Sequence, residues 1–172
     1  MLHFFAGNSQ PEKFKCIPCG NECDKAVYDK PGTCASCHME LVKAGTIHFK
    51  EVSAATVCNY INAHPGLVLL DVRTKDEFEG RADPYYGGLK NSINIPVQEL
   101  EKRVGELDKY KNREILVFCS HSHRSPRASY FLTQKGFSKV TNMLGGMSVL
   151  KSGSCKVESF TIPPFSPDCS LL

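Results

Sequence analysis

From residue 46 onward the chain alternates between continuous apolar runs and stretches whose apolar residues recur at helical spacing. The run Leu67-Val68-Leu69-Leu70-Asp71-Val72 has no polar alternation, which predicts a strand buried on both faces of a parallel sheet. Residues 114–119, with Ile115-Leu116-Val117-Phe118 at their centre, predict a second such strand. Shorter strands are expected at 46–49, at 92–95 where Pro96 stops the run, and at 139–143. Helices are expected between them. Val57 and Ile61 give one, capped by Ser53 and ended at His64-Pro65-Gly66, and residues 76–79 give a short one. Val97, Leu100, Val104 and Leu107 recur at the spacing of a third. Ser125-Pro126 suits the start of a fourth that runs to Gly136, because proline is tolerated in the first helical turn. Gly145-Gly146 turns into a final short helix. Strands alternating with helices require crossover connections, so residues 46–153 predict an α/β domain with a parallel sheet flanked by helices.

The first quarter has a different texture. Residues 15–44 hold too few large apolar side chains for a core, and a segment this short needs a metal or disulfides to keep a fold. Of nine cysteines, Cys16, Cys19, Cys23, Cys34 and Cys37 crowd into this segment, while Cys58, Cys119, Cys155 and Cys169 are scattered. An odd total with one dense cluster fits a metal site plus free thiols better than a disulfide framework. Cys16-x2-Cys19 and Cys34-x2-Cys37 form two knuckles separated by fourteen residues, each aiming two thiolates at one centre. Zinc is the expected occupant and iron the alternative, in a closed structural site of zinc-ribbon type; Cys23 and His38 are spare ligands. Residues 12–43 carry five basic and five acidic side chains, which leaves no cationic face for nucleic acid. Residues 1–14 lack periodicity and read as a flexible lead-in, and residues 154–172 as a disordered, Ser- and Pro-rich tail.

A net charge of +3 and 23% charged residues give no field that would select nucleic acid or an anionic membrane. No apolar run approaches the roughly 20 residues that span a bilayer. The first residues lack the basic flank and length of a signal peptide, so a cytoplasmic protein is expected, although a mature exported form would read the same.

Cys119 closes a buried strand just before a helix start, the edge of an open α/β sheet where sites form. The loop Ser120-His121-Ser122-His123 would curl with its amides inward, and with the positive end of the next helix it would cradle negative charge. Such surroundings favour a thiolate, the nucleophilic form, and the same donors, with Ser125, would hold a terminal persulfide. Arg124 adds a guanidinium able to grip an oxyanion through two parallel hydrogen bonds. His121 and His123 could donate to bound sulfur or face water, and Asp71, Arg73 and Glu77 read as a structural cluster tying loop to helix.

Residues 67–151 resemble a single rhodanese domain. The matching pieces are Leu70-Asp71-Val72-Arg73 with Asp76-Glu77-Phe78, then Asn94-Ile95-Pro96, Val117-Phe118-Cys119 through Arg124-Ser125, and Leu144-Gly145-Gly146-Met147. The resemblance implies a rhodanese-like sheet and a sulfurtransferase that moves sulfane sulfur through Cys119 to cyanide or a thiol. The rival readings are a non-enzymatic sulfur carrier or metal-binding module, and a phosphatase or arsenate reductase of the same fold. Related phosphatases place one more residue between Cys and Arg, so the shorter loop here favours sulfur. Two departures stand out. Residues 81–90 replace a short connection of the family, and the Ser-His-Ser-His loop lacks the extra basic residues of good thiosulfate users. Residues 31–42 are similar to the small heavy-metal-binding domain attached to some metal pumps. That likeness places Cys19 where the family often has histidine, and implies an all-sulfur site that could dock a protein partner.

Overall fold

The computed structural model describes residues 11–150, so the expectations for the outermost residues, with Cys155 and Cys169, lie outside the described residues. The cysteine-rich segment forms a three-stranded antiparallel sheet from β1 (Phe14–Cys16), β2 (Val27–Tyr28) and β3 (Leu41–Lys43), with β1 in the middle. The second sheet has five parallel strands: β4 (Lys50–Ser53), β5 (Val68–Asp71), β6 (Ile93–Asn94), β7 (Ile115–Phe118) and β8 (Val140–Leu144), in the order β4-β8-β7-β5-β6. Helices α1 (Val57–Ala63), α2 (Lys75–Phe78), α3 (Leu100–Arg103) and α4 (Arg124–Gln134) connect the strands. The expected parallel sheet with helices, preceded by a small antiparallel cysteine module, is present. Among the described residues no helix is long and apolar enough to cross a membrane.

The apolar runs divide by strand parity, because successive strand side chains point to opposite faces. Leu69, Leu116, Phe118 and Met143 pack with α1 on one face; Val68, Leu70, Ile115, Val117 and Val140 pack with α3 and α4 on the other. Every residue of β5 and β7 is buried, which is why these two strands lack polar alternation.

Several local expectations shift. The first strand of the large sheet lies at Lys50–Ser53, not 46–49, because it is an edge strand whose Lys50, Glu51 and Ser53 are exposed. Such an edge carries little hydrophobic signal. Ser53 therefore ends a strand and bonds the Thr56 hydroxyl at 3.0 Å, and α1 starts after Thr56. The apolar residues at 97–107 split between α3 and a 3-10 helix at Val104–Tyr110. Cys58, expected to be a free thiol, is disulfide-bonded.

Phe49 packs against both the cysteine module and the α3/α4 core. Thr46 Oγ1 lies 2.9 Å from the Tyr130 hydroxyl of α4, and Gln134 Nε2 donates to the Thr46 carbonyl at 3.1 Å. The small module is thereby seated against the helix that follows the Cys119 loop.

Candidate functional site

β7 delivers Cys119 to the carboxyl edge of the sheet, where the chain leaves the strand and re-enters α4 five residues later. Its thiol is 1% exposed and donates to Ser125 Oγ at 3.4 Å, while the Ser125 amide donates to Sγ at 3.4 Å. Ser125 lies in the first turn of α4, where backbone N–H groups have no helical partner and carry the positive end of the helix dipole. Ser122 adopts φ 59°, and His123 follows in a right-handed conformation. A left-handed residue beside right-handed ones turns consecutive amides to one side, the geometry of an anion-binding nest. The loop is anchored from outside as well: Met147 N–H donates to the Cys119 carbonyl and Ser148 N–H to the Ser120 carbonyl, both at 2.9 Å. A trans peptide points its N–H opposite its C=O, so the Ser120 and His121 amides face away from residues 147 and 148.

Arg124 is paired with a carboxylate of α2. Its Nη1 and Nη2 donate to the two Glu77 carboxylate oxygens at 2.5 and 2.6 Å, and Nη2 also reaches Ser120 Oγ at 3.3 Å. Ser120 Oγ donates to Glu77 at 2.7 Å. Glu77 is held there because Thr74 and Glu77 form a capping box at the start of α2. In this arrangement the guanidinium clasps the loop to α2. Hydrogen bonding from Arg124 holds the Glu77 carboxyl well below the usual carboxylate range. A depressed folded-state pKa contributes stability that is present above the unfolded value, about 4.3, and is lost as pH falls through the folded one. The contribution of this pair to thermal stability should therefore be level above about pH 5 and decline on acidification. Glu77→Gln should lower it by about 2 kcal/mol at pH 7 and flatten that decline. Melting curves between pH 7 and pH 3 check this, and an unchanged acid slope in the variant would assign it to other carboxylates.

Asp71 and Arg73, both within 1% exposure, form a buried pair with Arg73 Nη2 2.7 Å from Asp71 Oδ2. Asn94 Nδ2 bridges their carbonyls at 3.1 and 3.0 Å, which ties the end of β5 to β6. The long connection at 81–90 brings Tyr86 edge-on to His121, ring centroids 5.1 Å apart. A cleft of about 410 Å³ is lined by residues that include His121, Ser122 and His123 of the loop and Cys19, Gly20 and Asn21 of the cysteine module.

The sulfur atoms of Cys16, Cys23, Cys34 and Cys37 lie within 4.8 Å of one another. Tetrahedral ligation with Zn–S near 2.3 Å needs edges of about 3.8 Å, so this donor set suits a soft tetrahedral ion. The cluster could bind a metal. Its membership corrects the sequence reading: Cys23 stands in the group and Cys19 does not, because Cys19 is held aside by Asp24 and Asn21. His38, in a left-handed turn at φ 55°, lines a separate groove with Arg127 and Tyr130 and is outside the sulfur group. Amides of Cys37 and Ser36 pull the Cys34 thiol down to about 6, while burial pushes Cys23 up to about 12 and raises Cys16 further. Cys34 thus readily carries charge while Cys16 and Cys23 hold protons, so an ion entering the cluster must displace theirs.

The family model described as Rhodanese-like domain matches residues 53–152. The chain is 33% identical over 97 residues to a putative sulfur carrier protein, YrkF of Bacillus subtilis, covering 56% of this chain and 48% of that protein. It is 30% identical over 101 residues to a tRNA uridine(34) hydroxylase of Cronobacter sakazakii, covering 56% of this chain and 27% of that one. The chain thus spans less than half of the length of either relative. Among solved structures, reduced Bacillus anthracis CoADR-RHD matches at 29% identity and TM-score 0.51, over 66% of this chain and 18% of that one. A rhodanese-like domain protein from Staphylococcus aureus, at 21% identity and TM-score 0.52 over 64% of this chain and 100% of that one, shares the fold.

Proposed function

Because the chain belongs to the rhodanese-like family, we propose that it carries sulfane sulfur as a persulfide on Cys119 and passes it to a thiol or cyanide. The Cys119 thiolate attacks the sulfane sulfur of a donor, the donor's bond to that sulfur breaks, and its electron pair leaves with the donor. An acceptor nucleophile then attacks the outer sulfur and the electron pair returns to Cys119. The observation that carries this reading is the Ser125 amide on Cys119 Sγ at the start of α4, at the end of a buried central strand. A persulfide on that sulfur would extend into the loop formed by Ser120, His121, Ser122 and His123, whose amides can stabilise its negative end.

Arg124 acts here by holding the loop's shape through Glu77. With both terminal nitrogens engaged, it offers little to a sulfonate donor, which favours a persulfide or polysulfide donor over thiosulfate. The same engagement favours, as the second reading, a sulfur carrier that loads without efficient turnover, the role named for the Bacillus subtilis relative. Zinc is the ion we assign to the Cys16/Cys23/Cys34/Cys37 group, where four thiolates would close the coordination shell and stabilise the small module. A cytoplasmic setting, and a protein partner docked through that module, complete the reading.

Intact-mass and peptide mass spectrometry after incubation with a low-molecular-weight persulfide tests it. A gain of about 32 Da on the Cys119 peptide, discharged repeatedly by cyanide or a thiol, is the expected result for an enzyme. A single stoichiometric discharge supports the carrier, and hydrolysis of a phosphate ester by this site without any adduct would replace both with a phosphatase.

A further inference from the structure

Two groups of metal-competent side chains meet at one cysteine. Cys23 belongs to the four-sulfur group, and its sulfur also lies within 4.8 Å of Cys19 Sγ and an Asp24 carboxylate oxygen, which lie within 4.8 Å of each other. Cys19 and Cys23 are 5% and 9% exposed, so both sulfurs are sheltered. We propose that the cysteine module holds a second divalent, thiophilic ion on Cys19, Cys23 and Asp24, with the Cys23 thiolate shared between the two ions.

The arrangement around Cys19 is what such a site requires. Asp24 Oδ2 is used by the backbone, accepting from the Cys19 amide at 2.9 Å and the Gly20 amide at 2.7 Å. These bonds fix the carboxylate, so that Oδ1 faces Cys19 Sγ at 3.5 Å. Two ligands on a tetrahedral zinc with Zn–S near 2.3 Å and Zn–O near 2.0 Å stand about 3.5 Å apart, so this separation needs no adjustment. Asn21 Nδ2 donates to Cys19 Sγ at 3.2 Å, an outer-shell bond that orients a ligating sulfur and stabilises its negative charge.

Three protein ligands leave one tetrahedral position open, as in sites that keep a place for water or a small ligand. Cys19 lines the same cleft as His121, Ser122 and His123 of the Cys119 loop. Ser122, 3% exposed, has an Oγ without a hydrogen-bond partner among the described residues, so the loop side of this cleft holds an unsatisfied polar group. The second ion would sit where the two modules meet, with water, an imidazole or a small thiolate as its fourth ligand. The four-sulfur site would be closed and the Cys19 site open.

The proposal rests on reading the four-sulfur group as a metal site, and the test separates the two. The tag-free full chain is loaded with zinc, desalted, and its zinc and sulfur are quantified by elemental analysis. Two zinc ions per chain are expected in the wild type and one in Cys19→Ala and in Asp24→Asn. X-ray absorption at the zinc edge of the wild type provides a readout that does not depend on the variants folding. It should show a mixed shell averaging three sulfurs and one lighter atom, with a metal–metal vector. One zinc in an all-sulfur shell sinks the second site and leaves the first. No bound zinc sinks both, and two ions whose number is unchanged in both variants would place the second elsewhere.

Discussion

Replacing Cys119 with serine is expected to leave the protein folded and to abolish the persulfide adduct, with sulfur transfer to cyanide or a thiol falling at least about a thousandfold. The change is nearly isosteric, and the Ser125 amide and hydroxyl that surround Sγ at 3.4 Å can serve a hydroxyl instead. A buried polar group that keeps its partners costs little, so the melting temperature should move by the equivalent of about 1 kcal/mol. The chemistry has no such tolerance. A serine hydroxyl is not ionised near neutrality and does not form an oxygen–sulfur bond that a thiol could reverse by exchange, so both half-reactions lose their centre. Transfer kinetics and intact mass, measured on the same folded sample, check this. A persistent adduct in Cys119→Ser would assign the sulfur to another thiol, with Cys19 the first to examine. It is the one other free cysteine among the described residues that stands outside the four-sulfur group.

Much of the fold was legible because burial on both faces leaves an apolar run, unbroken through β7 and through β5 up to its terminal Asp71. Cys119 was legible for the same reason: it ends one of them and precedes a helix start. β4 was misplaced because this edge strand exposes three of its four residues and looks like a loop in sequence. Arg124 follows the Cys119 loop at the start of α4, but its partner could not be read from spacing. Glu77 is 47 residues away in sequence and meets Arg124 only because β5 and β7 are neighbours in the sheet. The choice between Cys19 and Cys23 was beyond the pattern for a similar reason. A C-x2-C spacing says that two sulfurs can converge, but it does not reveal that Asp24, five residues on, takes the Cys19 and Gly20 amides and draws that knuckle aside. The packing of Gly146 against the Cys119 loop left no trace at all, because a Gly-Gly pair reads as a turn whether or not another chain segment crosses it.

That contact carries the second large expectation. Gly146 sits at φ 68°, ψ −168°, a region that essentially only glycine occupies. A Cβ there would fall 2.5 Å from the Cys119 carbonyl oxygen and 2.5 Å from that of Ser120. Both obstructing atoms are backbone, so relief requires moving the loop itself. The same two carbonyls accept from the Met147 and Ser148 amides at 2.9 Å, and these are the bonds that fix the first peptides of the loop. Gly146→Ala should therefore cost about 3–5 kcal/mol in stability, combining backbone strain with lost hydrogen bonds. In the fraction that folds, displacement of the loop by even about 1 Å should slow persulfide loading roughly a hundredfold. Gly136→Ala supplies the comparison. Gly136 also has positive φ, 86°, but a Cβ there meets nothing within 4 Å. It should lose about 1–2 kcal/mol to strain alone and load sulfur at the wild-type rate. Melting temperature and loading rate measured on both variants separate general strain from loop displacement. Equal loading by Gly146→Ala and the wild type would mean that the amide ring around Cys119 does not depend on this crossing.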